Sequence, residues 1–391
     1  MKTVIVFLTI LMCSSFKLVN ADRNIDAKQA ILMDAETGDC LYEMNAEERC
    51  APSSMTKLMV LYILFSAIDS GRINLKDKFL ISKIAQKMKG SRSFFTAGSL
   101  VCVEDLIRSV VVHSGNDACV AIAEGMYGDV ESFVDQMNKK AKEFGLKNTN
   151  FTNPSGLPDE DHFSSVHDIA SVASKLIADF PQFYHYFSEK VFTINSITQQ
   201  NRNTLLGNAL KVDGLKTGKT NSGGYGIAVS AKNNGKRLIA VVNGCTSARG
   251  RARAANELLA LGLREYTSLK IVEAGKPVSE ITVNMGEKDK VGLCTHEDVN
   301  AVISKKYRKS LQIVVIVKEP VDAPLDLGRK FGELVYKYGN FTSQKYDLFA
   351  VEPIKRSGFF PWVKVVLWRL IYGKEDAKEV VKNPIINIPQ D

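Results

Sequence analysis

Apolar and polar positions alternate in Ala30-Ile31-Leu32-Met33-Asp34 and again in Cys40-Leu41-Tyr42, on either side of Glu36-Thr37-Gly38-Asp39. Alternation around a turn of this kind predicts an opening β-hairpin. The pattern then becomes helical: Ser54 to Ser70 reads as a long apolar helix closed by Gly71, and Asp129 to Phe144 as an amphipathic helix closed by Gly145. Gly224 to Ala231 and Lys236 to Val242 flank Asn233-Asn234-Gly235, a strong hairpin signal. Arg251 to Tyr266 returns to helix. Strands at both ends with helices between them predict one sheet covered by helices, an α/β (α+β) domain. After about Ser268 short strands dominate, such as Glu280 to Val283 and Leu311 to Val317. That shift predicts a second, β-rich domain.

Both termini carry a different pattern. Lys2 precedes an apolar run from Thr3 to Met12, and a polar stretch then ends in Val19-Asn20-Ala21. This is the layout of a secretory signal peptide cleaved after Ala21, and the run is shorter than the ~20 residues of a membrane span. Near the other end, Trp362, Val363, Val366, Leu367, Leu370 and Ile371 share one face of a helix, with Lys364 and Arg369 off it. Such a stretch suits the surface of a membrane, and Lys355, Arg356 and Lys374 add cations that anionic headgroups attract. The expected organisation is therefore a signal peptide over 1–21, an α/β domain over 22–268, a β-rich domain over 269–355 and an amphipathic helix and tail over 356–391.

Composition narrows the reading. The chain has 391 residues, 45% of them hydrophobic and 24% charged, which excludes collagen-like and wholly disordered proteins and suggests two domains. A net charge of +8 is modest at this length, so nucleic acid is not an expected partner. Six cysteines follow the signal peptide, too few for a disulfide scaffold; Cys40 and Cys50 are a conceivable pair. No spacing typical of a structural metal site occurs, and neither metal nor cofactor is expected.

Three short motifs carry candidate chemistry: Ser54-Met55-Thr56-Lys57 at the start of the apolar helix, Ser114-Gly115-Asn116, and Lys216-Thr217-Gly218 before the hairpin strands. Residues three apart on a helix are neighbours, so Ser54 and Lys57 face the same way. A serine hydroxyl needs a base within reach to become a nucleophile. Lysine can serve if desolvation or a second cation displaces its proton, and Lys216 is the candidate for that cation. A helix start also aims backbone N–H groups at the place where an oxyanion forms. Each motif alone is weak; their joint order points to the serine penicillin-recognising enzymes.

The resemblance is closest to the D-alanyl-D-alanine carboxypeptidases among low-molecular-mass penicillin-binding proteins. It is carried by Cys50-Ala51-Pro52-Ser53-Ser54-Met55-Thr56-Lys57, Gly115 to Ala121, Asn201-Arg202-Asn203 with Leu205-Leu206, and Asp213-Gly214-Leu215-Lys216-Thr217-Gly218. It runs from about Asp26 to Arg264 and continues more weakly to the tail. The resemblance implies a transpeptidase/β-lactamase-like domain with an antiparallel sheet and a helical cluster, then a small all-β domain and a membrane-anchoring helix. It implies exported protein on the periplasmic face of the inner membrane, with peptidoglycan stem peptides as substrate and β-lactam antibiotics as inhibitors. Ser54 would attack the carbonyl between the last two D-alanines with Lys57 as base. Ser114 would relay a proton, and Asn116 would orient Lys57 and hold the substrate amide. Lys216, Thr217 and Arg251 would receive the terminal carboxylate, and the backbone N–H groups of Ser54 and Lys219, beside Gly218, would form the oxyanion hole. Lys219 stands where the family usually has His, and Ala252 and Arg253 replace an acidic pattern common in relatives. A D,D-endopeptidase, a β-lactamase and a non-catalytic wall-binding scaffold are the alternatives.

His113, His162 and His167 read as structural: His113 lacks the elbow motif of a Ser-His-Asp enzyme, and the other two mark a loop-to-helix boundary.

Overall fold

The turn after Gln29–Asp34 (β1) is closed by its own last residue: Asp34 accepts the N–H of Glu36 and Thr37 at 3.0 and 2.9 Å, and Cys40–Met44 (β2) folds back antiparallel. The computed structural model describes residues 25–233, 235–339, 341–358, 363, 367, 377–382 and 384. The expected signal peptide over 1–21 lies outside them, as does most of the expected tail helix.

After β2 the chain enters a tight 3-10 turn, Ser53–Thr56, that continues into Lys57–Asp69 (α1). This helix is apolar nearly all round and its residues from Lys57 to Phe65 are buried, the pattern of a helix at the centre of a core. A ribbon follows, Lys78–Leu80 (β3) paired with Leu100–Cys102 (β4), enclosing the short helix Lys83–Gln86 (α2). Next come Val103–Arg108 (α3), a π-helical turn Ser109–His113, Asn116–Tyr127 (α4), Val130–Glu143 (α5) and Val166–Asp179 (α6). Asp129 and Ser165 cap α5 and α6, each side chain accepting the backbone N–H three residues on. The ribbon Val191–Ile194 (β5) and Ile197–Gln200 (β6) leads to Val212–Thr220 (β7), Gly224–Asn233 (β8), Lys236–Cys245 (β9) and finally Ala248–Glu265 (α7).

The central sheet has the order β2-β1-β9-β8-β7, antiparallel throughout. Its two faces bury different residues, as a period of two requires. Ile31 and Met33 pack with α1, α4 and α6, whereas Ala30 and Leu32 pack with Leu258 and Leu259 of α7. The sheet is thus sandwiched between helices. Strand β7 ends the strand order, pairing with β8 on one side.

The described residues divide into two compact units, 25–270 with 300–306, and 271–299 with the residues from 307 onward. The second is built on an eight-stranded sheet in which Ser279–Asn284, Lys290–Cys294, Tyr346–Ala350, Lys330–Tyr338 and Gln312–Glu319 are successive neighbours. Lys378–Lys382, within the region expected to be helix and tail, extends this sheet by pairing antiparallel with Gln312–Glu319. Lys382 anchors it there through Glu319 at 2.7 Å. Among the described residues the cysteines are free, Cys40 and Cys50 included.

Candidate active site

The 3-10 turn places Ser54 one turn before the start of α1, and Lys57 is the first residue of that helix. Two glycines let other segments approach this turn. A Cβ added at Gly218 of β7 would stand 3.0 Å from Ser53 Cβ and 3.1 Å from the Pro52 carbonyl. At Gly156, where φ is +75°, a Cβ would collide with the Ser53 carbonyl. The nucleophile motif is therefore held between strand β7 and the loop through Gly156.

Lys57 has no solvent exposure. Its Nζ lies 3.1 Å from Ser54 Oγ, 2.8 Å from Asn116 Oδ1 and 2.5 Å from the Ser155 carbonyl oxygen. Burial lowers its pKa to about 8; Cys119 opposes this, the Arg202 guanidinium adds to it, and Asp117 opposes it least. The three contacts are not equivalent. A carbonyl can only accept, so a neutral amine keeps its two N–H groups on Asn116 and Ser155. The lone pair is then left for the Ser54 hydroxyl. The geometry turns a lysine into a base aimed at one oxygen.

Ser114 ends the π-helical turn in the left-handed region, at φ 59° and ψ 36°, which breaks the helix so that α4 restarts at Asn116. Its Oγ is buried and without a hydrogen-bond partner among the described residues. Asn116 donates from Nδ2 to the Lys89 carbonyl at 2.7 Å, which fixes Oδ1 toward Lys57. Its backbone N–H donates to the Ser91 carbonyl at 2.8 Å, and Asp117 accepts the N–H of Ser93 with both carboxylate oxygens. The loop from Lys89 to Phe95 is thereby tied to the start of α4.

Lys216 is 2% exposed, and its pKa is lowered well below the ordinary value by burial first, then by Lys57, Arg202 and Arg251. Lys57 and Lys216 repel one another as expected, and Arg202 is a further cation that acts on both. Thr217 is buried beside it. Arg251 is buried on α7 and donates to the carbonyls of Gly218 at 2.9 Å and Gly226 at 3.4 Å. It therefore braces β7 and β8 as well as adding charge. Lys219 is exposed, with its ammonium 4.9 Å from the centre of the Tyr225 ring. Four cations, Lys57, Arg202, Lys216 and Arg251, act on one another here, an environment suited to a carboxylate.

Two contributors had no role assigned from the sequence. One is the Ser155 carbonyl, held in place because Asn153 Oδ1 accepts the N–H of Ser155, Gly156 and Leu157. The turn-forming Asn153-Pro154-Ser155-Gly156 was the available signal. The other is Arg202, which also donates to Ser91 Oγ at 2.6 Å. His113 and His162 are structural. His113 bonds Ser93 Oγ and the Phe192 carbonyl. His162 accepts the Thr152 N–H on Nδ1, so Nε2 donates to Thr56 Oγ1 at 2.9 Å; burial holds its pKa at about 4. His167 stands 3.5 Å from Glu47 and 3.7 Å from Asp168.

Comparison with known proteins identifies the family. The family described as D-alanyl-D-alanine carboxypeptidase matches residues 16–247, and the C-terminal domain of penicillin-binding protein 5 matches 266–356. The chain is 37% identical to the D-alanyl-D-alanine carboxypeptidase DacA of Haemophilus influenzae, over 86% of this chain and 87% of that one. It is 35% identical to DacF of Bacillus subtilis, over 87% and 88%. Among solved structures, penicillin-binding protein 5 from Haemophilus influenzae superposes with a TM-score of 0.79 at 37% identity, covering 85% of this chain and 99% of that one. The cefotaxime-bound form of penicillin-binding protein D2 from Listeria monocytogenes superposes with a TM-score of 0.57 at 27% identity, covering 62% and 99%.

Proposed function

The chain belongs to the D-alanyl-D-alanine carboxypeptidase family, and we propose that Ser54 is the residue with which it attacks its substrate. It is a serine-type D-Ala-D-Ala carboxypeptidase, removing the terminal D-alanine of peptidoglycan pentapeptide stems through an acyl-enzyme. The observation that carries the assignment of Ser54 is the neighbouring buried lysine, whose lone pair has the Ser54 hydroxyl as its free partner.

In the acylation step Ser54 Oγ adds to the carbonyl between the two D-alanines while its proton passes to Lys57 Nζ. The backbone N–H groups of Ser54 and Lys219 take the oxyanion, which needs no particular side chain at 219. Lys216, Thr217 and Arg251 receive the terminal carboxylate. The proton then travels through Ser114, whose unpartnered Oγ is free to accept and donate, to the amine of the departing D-alanine as the C–N bond breaks. Water, activated by Lys57, hydrolyses the ester and restores Ser54. A β-lactam presents a strained amide and a carboxylate to the same groups, and so acylates Ser54.

The test is release of D-alanine from a pentapeptide ending in two D-alanines. The intact protein should release it and Ser54→Ala should not; release undiminished in Ser54→Ala removes the assignment. A crosslinked muropeptide dimer in the same assay detects endopeptidase cleavage.

The sequence further supports a peripheral place on the periplasmic face of the inner membrane, after export through residues 1–21. The aromatic, cationic stretch from Phe359 to Tyr372 supplies the contact with anionic lipid. Truncation before Phe359 should free the protein from membranes, and unchanged membrane association would refute that contact.

A further inference from the structure

Glu47 lies in the loop between β2 and the turn that carries Ser54, and His167 and Asp168 stand in the first turn of α6. Backbone hydrogen bonds bring the two segments together. His167 donates its N–H to the Ala46 carbonyl at 3.1 Å, and Cys50 and Ser164 exchange N–H···O bonds of 2.7 and 2.9 Å. One ligand atom from each of Glu47, His167 and Asp168 then lies within 4.8 Å of the other two. Residues drawn from such distant segments leave no metal-ligand spacing in the sequence.

The distances are long for hydrogen bonds and close to those of ligands sharing a cation. His167 Nδ1 is 3.5 Å from Glu47 Oε1 and 3.7 Å from Asp168 Oδ1, beyond the roughly 2.7–3.2 Å of an N–H···O bond. Two ligands at about 2.1 Å from a tetrahedral zinc ion stand about 3.4 Å apart. The exposed Glu47 side chain is free to close the difference.

The carboxylate oxygens on the other side are already committed. Asp168 Oδ2 accepts the Asn148 N–H at 2.9 Å and the Thr149 hydroxyl at 2.7 Å, and Glu47 Oε2 accepts from Asn148 Nδ2 at 2.9 Å. Outer bonds of this kind orient carboxylate ligands. An independent sign of a ligand is Asp168 itself. Its side chain is 4% exposed, yet Oδ1 accepts no hydrogen bond among the described residues and faces His167 Nδ1. A buried carboxylate oxygen in that state is costly unless positive charge meets it. Glu43 adds further negative charge around His167, so one proton on the ring leaves the cluster anionic, whereas a divalent cation neutralises more of it.

We propose that Glu47, His167 and Asp168 form a site for a divalent cation of the zinc class, with water in the fourth position. One imidazole and two carboxylates are donors that suit zinc. The ion ties the loop leading to Ser54 onto the start of α6, and its effect is on the stability of this domain.

The experiment titrates the intact protein, stripped of metal by a chelator, with zinc in a calorimeter, beside His167→Ala and Glu47→Gln. One zinc per chain is expected, bound about tenfold or more weakly in Glu47→Gln and not bound in His167→Ala. Zinc in about hundredfold excess over its Kd should raise the melting temperature of the intact protein by about 5 °C and leave that of His167→Ala in place. Cooperative melting of the metal-free variants shows that they are folded. Cobalt in place of zinc separates this site from the free cysteines, since visible d–d bands without a thiolate charge-transfer band are expected. No zinc bound by the intact protein, equal binding by His167→Ala, or a thiolate band overturns the proposal. None of these outcomes bears on Ser54.

Discussion

Asn116 Oδ1 accepts a hydrogen bond from Lys57 Nζ at 2.8 Å, while Asn116 Nδ2 is committed to the Lys89 carbonyl at 2.7 Å. The amide is thus locked with its oxygen toward the base. Asn116→Asp keeps the shape and adds a negative charge at that distance, which favours the ammonium form. The pH midpoint for acylation should move upward by about one unit or more, with most activity lost at pH 7 and part of it recovered at high pH. Pre-steady-state acylation by a β-lactam across pH measures this; an unshifted midpoint would separate Asn116 from the base.

In the intact protein the same logic fixes the sign of the pH dependence. Burial lowers Lys57 to about 8, so the reactive neutral amine grows as pH rises through that value. About a tenth of the amine is neutral at pH 7 and about half at pH 8. Acylation should rise accordingly across pH 7 to 9, and Lys57→Ala should lower it by about 10²–10⁴-fold, the usual worth of a positioned base. A rate flat across this range contradicts Lys57 as base.

Gly156→Ala tests the loop that holds the Ser155 carbonyl against Lys57. Its Cβ meets the Ser53 carbonyl, and its φ of +75° is unfavourable for alanine. A loss of about 1–3 kcal/mol in stability is expected from such backbone strain, together with slower acylation as the turn bearing Ser54 shifts. Thermal denaturation and acylation rate report the two effects separately. Stability and rate both at the parent level would mean the loop does not support the site.

Arg251 braces the strand that carries Lys216, Thr217 and Gly218. Arg251→Gln removes the charge and retains one donor group, so kcat/KM for a pentapeptide should fall by about tenfold or more, the value of one charge-assisted hydrogen bond. The larger effect is expected in KM, because the carboxylate is bound in the ground state as well. A KM equal to that of the parent protein excludes Arg251 from carboxylate binding.

Much of this site can be read from the chain because its chemistry is local. Ser54 and Lys57 need only helical spacing to meet, and Asn233-Asn234-Gly235 announces the β8–β9 hairpin by its turn chemistry. What escaped depends on distant segments or on backbone atoms. The Ser155 carbonyl is a main-chain group with no residue signature of its own, and it reaches Lys57 across 98 positions. Arg202 acts on Lys57 through space, in addition to the Lys216 that the motif order suggested. Lys378–Lys382 follows an aromatic, helix-patterned stretch, and its strand pairing depends on the edge that Gln312–Glu319 provides. A charged, five-residue segment gives little pattern by which to foresee that.

The most direct test of the account is the intact mass of the purified protein after exposure to penicillin, followed by peptide mapping. A single adduct of one penicillin on the peptide that contains Ser54, absent from Ser54→Ala, is the predicted result. No adduct, or one carried by any other residue, would contradict it.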